Sequence, residues 1–223
     1  MENDETYDDT WKLNSILKEE LGDISGKSII HLRCNIGDNT ILLSQMGAAL
    51  AVGVDDNAEC LLKAKKLSEE FGIHNTKFIE SNIVELKENH NEKYDIVFTT
   101  EVNPILLHDI DEWAETIRHL LKENGVLYLR DLHPFCSILK LNKGKLEVKN
   151  PYFSKYFKYT DVTGSYTISE IINSLINVGL TIEFFNEFDA FYRDFFLEDS
   201  IGEQFLNKQK IPFLFSLKAK LKM

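Results

Sequence analysis

Residues 29 to 57, IIHLRCNIGDNTILLSQMGAALAVGVDDN, narrow the possible folds more than any other stretch of the chain. An apolar run (Ile29, Ile30, Leu32) bends through Asn35, Ile36 and Gly37 into a helix-like segment that stops at Gly47. A second apolar run, residues 49 to 54, ends in Asp55. The order is strand, turn, helix, strand, with an acid at the tip of the second strand. In such a βαβ unit the free N–H groups at the start of the helix face a ligand beyond the first strand. A carboxylate at the neighbouring tip can accept both hydroxyls of a ribose. The stretch therefore predicts a nucleoside site, with a plain structural crossover as the alternative.

The strand-to-helix turn resembles motif I of class I S-adenosylmethionine-dependent methyltransferases, an apolar strand running into D-x-G-x-G-x-G, and Asp55 resembles their motif II acid. On that pattern His31 takes the acid position, Arg33 and Asn35 the first two glycine positions, and Gly37 the third. HLRCNIGDNT is more similar still to the H-L-Q-C-H-x-G-x-D-T form found in a small-molecule subgroup, from which Arg33, Asn35 and Asn39 depart. The resemblance implies S-adenosylmethionine as cofactor, contacted by His31, Arg33, Cys34, Asn35, Gly37, Asp55 and Asp56.

Charge narrows the partners. The 223 residues carry 25 Lys and Arg against 36 Asp and Glu, a net −11, and the one dense basic block is KAKLK near the C-terminus. A polyanion is repelled by such a field, so nucleic acid is not expected as a substrate. Cys34, Cys60 and Cys136 are widely spaced and form no C-x-x-C pair. They fit buried thiols in a reducing compartment better than a zinc site or a disulfide framework. The acidic start MENDETYDD reverses the order of a signal peptide, and no apolar run has the length of a membrane span. A soluble, cytoplasmic protein with no membrane association and no metal is expected. The length fits a single domain over residues 1–223.

Along the chain, residues 10 to 21 show helical spacing before Gly22. Residues 1–24 then form an N-terminal helix and a partial lid, shorter than the arm of the resembled subgroup, in which Tyr7 and Trp11 either cover the site or anchor a surface helix. After Asp55, Cys60, Ala64, Leu67 and Phe71 mark one face of a helix capped by Asn57 and stopped by Gly72. Its lysines and glutamates form a solvated face.

Residues 76 to 79 read as a third strand. In the resembled family the loop after it binds adenine, which implies Asn82 as acceptor and the backbone N–H of Ile83 as donor; a turn-forming Asn is the competing explanation. Residues 94 to 99 form a fourth, doubly buried strand. Thr100 and Glu101 follow where the family holds the methionine portion of the cofactor, and Glu101 is also a candidate catalytic residue. Asn103-Pro104 lacks the second proline and aromatic of the adenine-N6 signature and lies too far past the strand. A helix is predicted from Ile110 through Leu121, ending at Asn124-Gly125.

GVLYLRDLHPF gives a fifth strand tipped by Asp131 and His133. His133 is a general-base candidate, since imidazole titrates near neutral pH, unless it hydrogen-bonds its own loop. Residues 134–166 form a long aromatic-rich insertion. The resemblance implies that they build a pocket for a flat, apolar or aromatic acceptor; a small hairpin would look the same. Thr167 to Glu170 is a capping box opening a helix that ends at Gly179. Residues 180 to 185 are a sixth strand, and FLFSLKAKLK after Pro212 a seventh. No strong helical crossover lies between them. An antiparallel last strand closes class I methyltransferases, whereas a nicotinamide dehydrogenase continues in parallel.

The expected architecture is a Rossmann-like α/β fold with a seven-stranded, mostly parallel sheet, an antiparallel last strand and helices on both faces. The expected function is methylation of a small molecule. A methyltransferase-fold protein with a binding or regulatory role is the alternative, and a nicotinamide-dependent enzyme the third.

Overall fold

In the computed structural model, which describes residues 9–100, 109–142, 145–148, 151–153, 166–189 and 211–222, the elements run in the order read from the sequence, with three additions. They are α1 (Asp9–Leu21), β1 (Ser28–Leu32), α2 (Asp38–Gln45), β2 (Leu50–Asp55), α3 (Ala58–Glu70), β3 (Thr76–Glu80), α4 (Ile83–Asn89), β4 (Tyr94–Thr100), α5 (Ile110–Leu120), β5 (Leu121–Leu132), β6 (Leu139–Asn142), β7 (Lys145–Val148), α6 (Ile168–Asn177), β8 (Leu180–Phe188) and β9 (Leu214–Leu221). The additions are α4 and the hairpin β6–β7.

Seven strands form one sheet in the order β3-β2-β1-β4-β5-β9-β8, and β6 and β7 pair separately. β9 lies antiparallel to both neighbours, β5 and β8, while the other pairs are parallel. The strand order reverses between β1 and β4. In open α/β sheets ligands bind beyond the carboxyl ends of the strands at such a switch point.

Alternating residues build the two layers. Ile30, Val52, Val97 and Leu127 face α5 and α6 through Trp113, Ile117, Ile171 and Leu175. Their neighbours Ile29, Ala51, Ile96 and Tyr128 face α1 and α2 through Leu17, Leu21 and Leu43. A strand covered on both faces needs apolar residues at both parities, which is why β1, β2 and β4 read as continuous apolar runs. Glu20 pins α1 across three strands: its carboxylate accepts from Tyr128 Oη of β5 at 2.7 Å, Asn186 Nδ2 of β8 at 2.8 Å and Ser216 Oγ of β9 at 2.7 Å.

Two local expectations are corrected. The helix α5 stops at Leu120; Leu121 is already extended and pairs with Tyr94. Burial of Leu121 in the core and the 2.9 Å ion pair of Lys122 with Asp95 hold the chain in the sheet there. Residues 83 to 89, left without a helix by the sequence, form α4, capped by Asn82, whose side chain accepts from the N–H of Glu85 at 2.9 Å. The capping box of Thr167 and Glu170 is present as predicted. Among the described residues, no helix is long and apolar enough to cross a membrane, and no group of three or more His, Cys, Asp or Glu side chains is placed to hold a metal ion.

Candidate functional site

At the switch point the turn after β1 keeps a left-handed backbone without the glycines that usually allow it. Arg33 has φ 56° and Asn35 φ 48°; Gly37, at φ 80°, precedes α2. Asn tolerates this region, whereas a long side chain such as Arg is strained there by about 1 kcal/mol. Asp55 at the tip of β2 holds the turn. Its carboxylate accepts from the N–H of Asn35 at 2.8 Å and of Asn57 at 3.0 Å, and its carbonyl accepts from the N–H of Ser81 at 3.0 Å. One residue thus ties together the loops after β1, β2 and β3. A carboxylate has about four acceptor positions, so two remain for a ligand.

Two cavities meet at this acid. One, of about 460 Å³, reaches toward β3 and α5 and is lined by Asn82, Ile83, Ser81, Asp109 and Trp113 among others. The other, of about 360 Å³, reaches toward β4 and is lined by His31, Cys34, Asn35, Asn39, Thr100 and others. Arg33, Asp55 and Asp56 line both. The joined crevice has the size and the few convergent polar groups of a ligand site.

Asn39 Nδ2 donates to Thr100 Oγ1 at 3.4 Å, bridging the start of α2 to the tip of β4 across the switch point. His31 is 2% exposed, shares a 2.8 Å hydrogen bond between Nδ1 and Thr40 Oγ1, and packs edge-on against Phe98. Burial brings its pKa down to about 3, so the ring is neutral. Its Nε2 has no hydrogen-bond partner among the described residues. Burial, with Asp55 adding to it, pushes the Cys34 thiol up to about 12. That sulfur packs over Gly53 and is no nucleophile.

Most residues expected at the cofactor come together here: His31, Arg33, Cys34, Asn35, Asp55, Asp56, Asn82, Ile83 and Thr100 all line the crevice. Gly37 does not. A Cβ on it would lie 2.7 Å from the Ala64 Cβ and 2.9 Å from Phe78, so its smallness lets α2 close on α3 and β3. Asn82 caps α4 through its side-chain oxygen and also lines the cavity of about 460 Å³. Glu101 and Tyr7 lie outside the described residues, as does the side chain of Trp11. Sequence reasoning missed Asp109 and Trp113. The cap at Asp109 was readable from its place before an amphipathic run, but its arrival at the crevice follows from how α5 crosses the sheet.

His133, just past the end of β5 and two strands from β1, is 8% exposed. Nδ1 accepts from the N–H of Phe135 at 3.0 Å, capping the short 3-10 turn Pro134–Ile138, and Nε2 lies 3.1 Å from Glu187 Oε1. Since Nδ1 accepts, the proton sits on Nε2 and points at Glu187. Burial lowers the His133 pKa, and the Glu187 carboxylate partly offsets this. Both nitrogens are engaged: Nδ1 with its own loop, as in the loop-bonding alternative, and Nε2 with Glu187 of β8, which the sequence did not indicate. Of the insertion, the hairpin β6–β7 and the edge-on pair Tyr152–Phe153 are described; residues 154–165 are not.

A sequence model of the family described as "Methyltransferase domain" matches residues 24–169. Among curated proteins, the chain is 29% identical over 105 residues to a ribosomal protein L11 methyltransferase of Vibrio parahaemolyticus, covering 47% of this chain and 33% of that protein. It is 28% identical over 128 residues to an uncharacterized RNA methyltransferase of Caldanaerobacter subterraneus, covering 56% and 28%. The aligned segments thus span about a third of the length of these relatives. Among solved structures, an S-adenosylmethionine-dependent methyltransferase from Mesorhizobium loti superposes with a TM-score of 0.72 at 16% identity, covering 92% of this chain and 96% of that one.

Proposed function

The chain belongs to the methyltransferase domain family, and from that premise we propose that it transfers a methyl group from S-adenosylmethionine to a small-molecule acceptor. The observation that carries this reading is Asp55: a buried carboxylate with spare acceptor positions where two cavities join at the switch point. The crevice fits the donor. Asp55 would take the ribose hydroxyls, Asn82 and the Ile83 N–H the adenine, and His31, Arg33, Asn35 and Thr100 would surround the methionine portion.

When bound, S-adenosylmethionine supplies a methyl carbon activated by a sulfonium leaving group. The chain's own part is to hold donor and acceptor in line and keep water out. The His133–Glu187 pair is the candidate for taking a proton from an acidic acceptor. Because Nε2–H donates, the imidazole positions Glu187, and the half-exposed carboxylate has the free lone pairs. A small acceptor is favoured over nucleic acid by the net charge of −11 and by the carboxylates along the crevice. The engaged nitrogens of His133 favour one second reading, a binding protein that keeps the fold without efficient turnover.

Calorimetric titration with S-adenosylmethionine, followed by an acceptor screen that reads S-adenosylhomocysteine formation, tests both readings. Micromolar binding with turnover on at least one acceptor is expected. Binding without turnover across the screen would favour the second reading, and no binding would end the first.

A further inference from the structure

Trp113 carries a buried N–H without an acceptor. The residue stands on α5, is 2% exposed, and belongs to the apolar cluster that includes Val54, Leu86, Ile117 and Leu120. Its indole Nε1 has no hydrogen-bond partner among the described residues. An indole nitrogen can only donate, so no choice of tautomer or rotamer of the N–H removes the deficit. Leaving such a donor unpaired in the interior costs more than a made hydrogen bond gains, and buried N–H groups are almost always paired.

The four apolar side chains named supply no acceptor. Trp113 also forms part of the wall of the cavity of about 460 Å³, together with Ser81, Asn82 and Ile83. Asp55, Asp56, Glu85 and Asp109 line the same cavity, yet none of them accepts from the indole. The missing acceptor is therefore one that a ligand brings into the cavity. A core position on a helix asks only for apolar volume; tryptophan adds a single polar atom to a residue that reaches a ligand site.

The donor assignment above puts adenine in this cavity, and the present inference rests on it. Adenine has three ring nitrogens that accept, N1, N3 and N7, and the Ile83 N–H takes one of them. From this we infer that Trp113 is a specificity-determining residue for the base: its Nε1–H donates to a second ring nitrogen. Recognition of the base then comes from two elements, the loop before α4 and the helix α5. A base with carbon at the second position leaves the indole unpaired again.

Four compounds test this through binding: S-adenosylhomocysteine and its 1-deaza, 3-deaza and 7-deaza analogues, each with one ring nitrogen of adenine replaced by C–H. In calorimetry on the wild-type protein two analogues are expected to bind about tenfold more weakly than the parent, one for each N–H donor left without its acceptor. Trp113→Phe keeps an aromatic ring and drops the N–H. In that variant one of the two weak analogues is expected to regain parity with the parent, because the penalty leaves with the donor. Indole N–H resonances of the nitrogen-15-labelled protein give a readout that needs no core substitution. Trp11 and Trp113 are the two tryptophans, and Trp11→Phe assigns the pair. The Trp113 proton is expected to move downfield with the parent as it gains an acceptor, and less with one analogue. An analogue series in which none regains parity in Trp113→Phe, or a Trp113 resonance that responds alike to all four compounds, overturns the role of Trp113 and leaves the donor assignment standing. Binding of none of the four overturns both.

Discussion

The imidazoles of His31 and His133 stand at the carboxyl ends of β1 and β5, both almost fully enclosed, yet their second neighbours give them different chemistry. His31 meets a neutral hydroxyl, Thr40, and an aromatic edge. Nothing there stabilises a positive ring, and its pKa falls to about 3. His133 meets a carboxylate, which opposes the same burial penalty. The nitrogen without a partner among the described residues, Nε2 of His31, is on a residue lining the cavity at the switch point. The ring whose carboxylate neighbour opposes the burial penalty stands at the tip of β5, and both its nitrogens are in use. Burial at a strand tip does not by itself make a base; the partner decides whether the ring can hold a proton, and the hydrogen-bond count decides whether it can accept one.

The largest effect expected from this contrast is acid lability. His31 binds a proton readily when unfolded, near pH 6.5, but in the fold only near pH 3. The unfolded state therefore holds more protons between those values. Stability should fall by about 1.4 kcal/mol for each pH unit below about 6.5, read as the urea midpoint from pH 7 to pH 4. His31→Gln should flatten that slope even where it weakens the fold at neutral pH; an unchanged slope would place the proton elsewhere.

Next in size is the carboxylate that does for the donor side what neither imidazole can. Asp55→Ala deprives two backbone N–H groups of their acceptor and should lower both stability and S-adenosylmethionine affinity by about 1 to 3 kcal/mol. Unchanged affinity in calorimetry would remove Asp55 from the ribose. His133→Ala loses a turn cap and should cost about 1 kcal/mol in thermal melts, while reducing turnover more than cofactor affinity if the Glu187 pair moves a proton. Glu187→Gln removes the charge that props up His133, so the ring's titration, followed by NMR, should move further below its ordinary value; a rise would mean that Glu187 does not support the protonated ring. The smallest effect concerns the strained turn. Arg33→Gly relieves a left-handed non-glycine residue and should raise stability by up to about 1 kcal/mol; a lower melting temperature would mean that the arginine's contacts outweigh the strain.

These contrasts mark how far the sequence could be read. Strands buried on both faces were legible because Ile29–Ile30 and Ile96–Val97 leave no polar parity, and the closing antiparallel strand was expected from the family resemblance and the lack of a strong helical pattern in the sequence between 186 and 211. Asp55 was legible because its position depends on residues within one βαβ unit. α4 was not: it is one short helix with Leu86 as its buried residue, too little for a periodic signal. Trp113 reads as core, which it is, and its place on the cavity wall comes from packing between distant elements. His133 was correctly placed at a strand tip, but its partner Glu187 lies in β8, brought near by pairing across β9.

The clasp made by Glu20 has a consequence for how the molecule comes into being. Its three side-chain partners lie 108, 166 and 196 positions further along the chain. On the ribosome, α1 emerges well before the groups that fasten it, which arrive with β5, β8 and finally β9. Because β9 also fills the slot between β5 and β8, the sheet and the clasp are completed by the same late event. Until then the apolar face of α1 lacks its full anchorage, and contacts at such long sequence separation form slowly. A nascent chain halted before residue 214 would carry the first βαβ unit with its helix α1 short of the Ser216 tie, which makes the interval before β9 emerges the period of greatest exposure to misassembly.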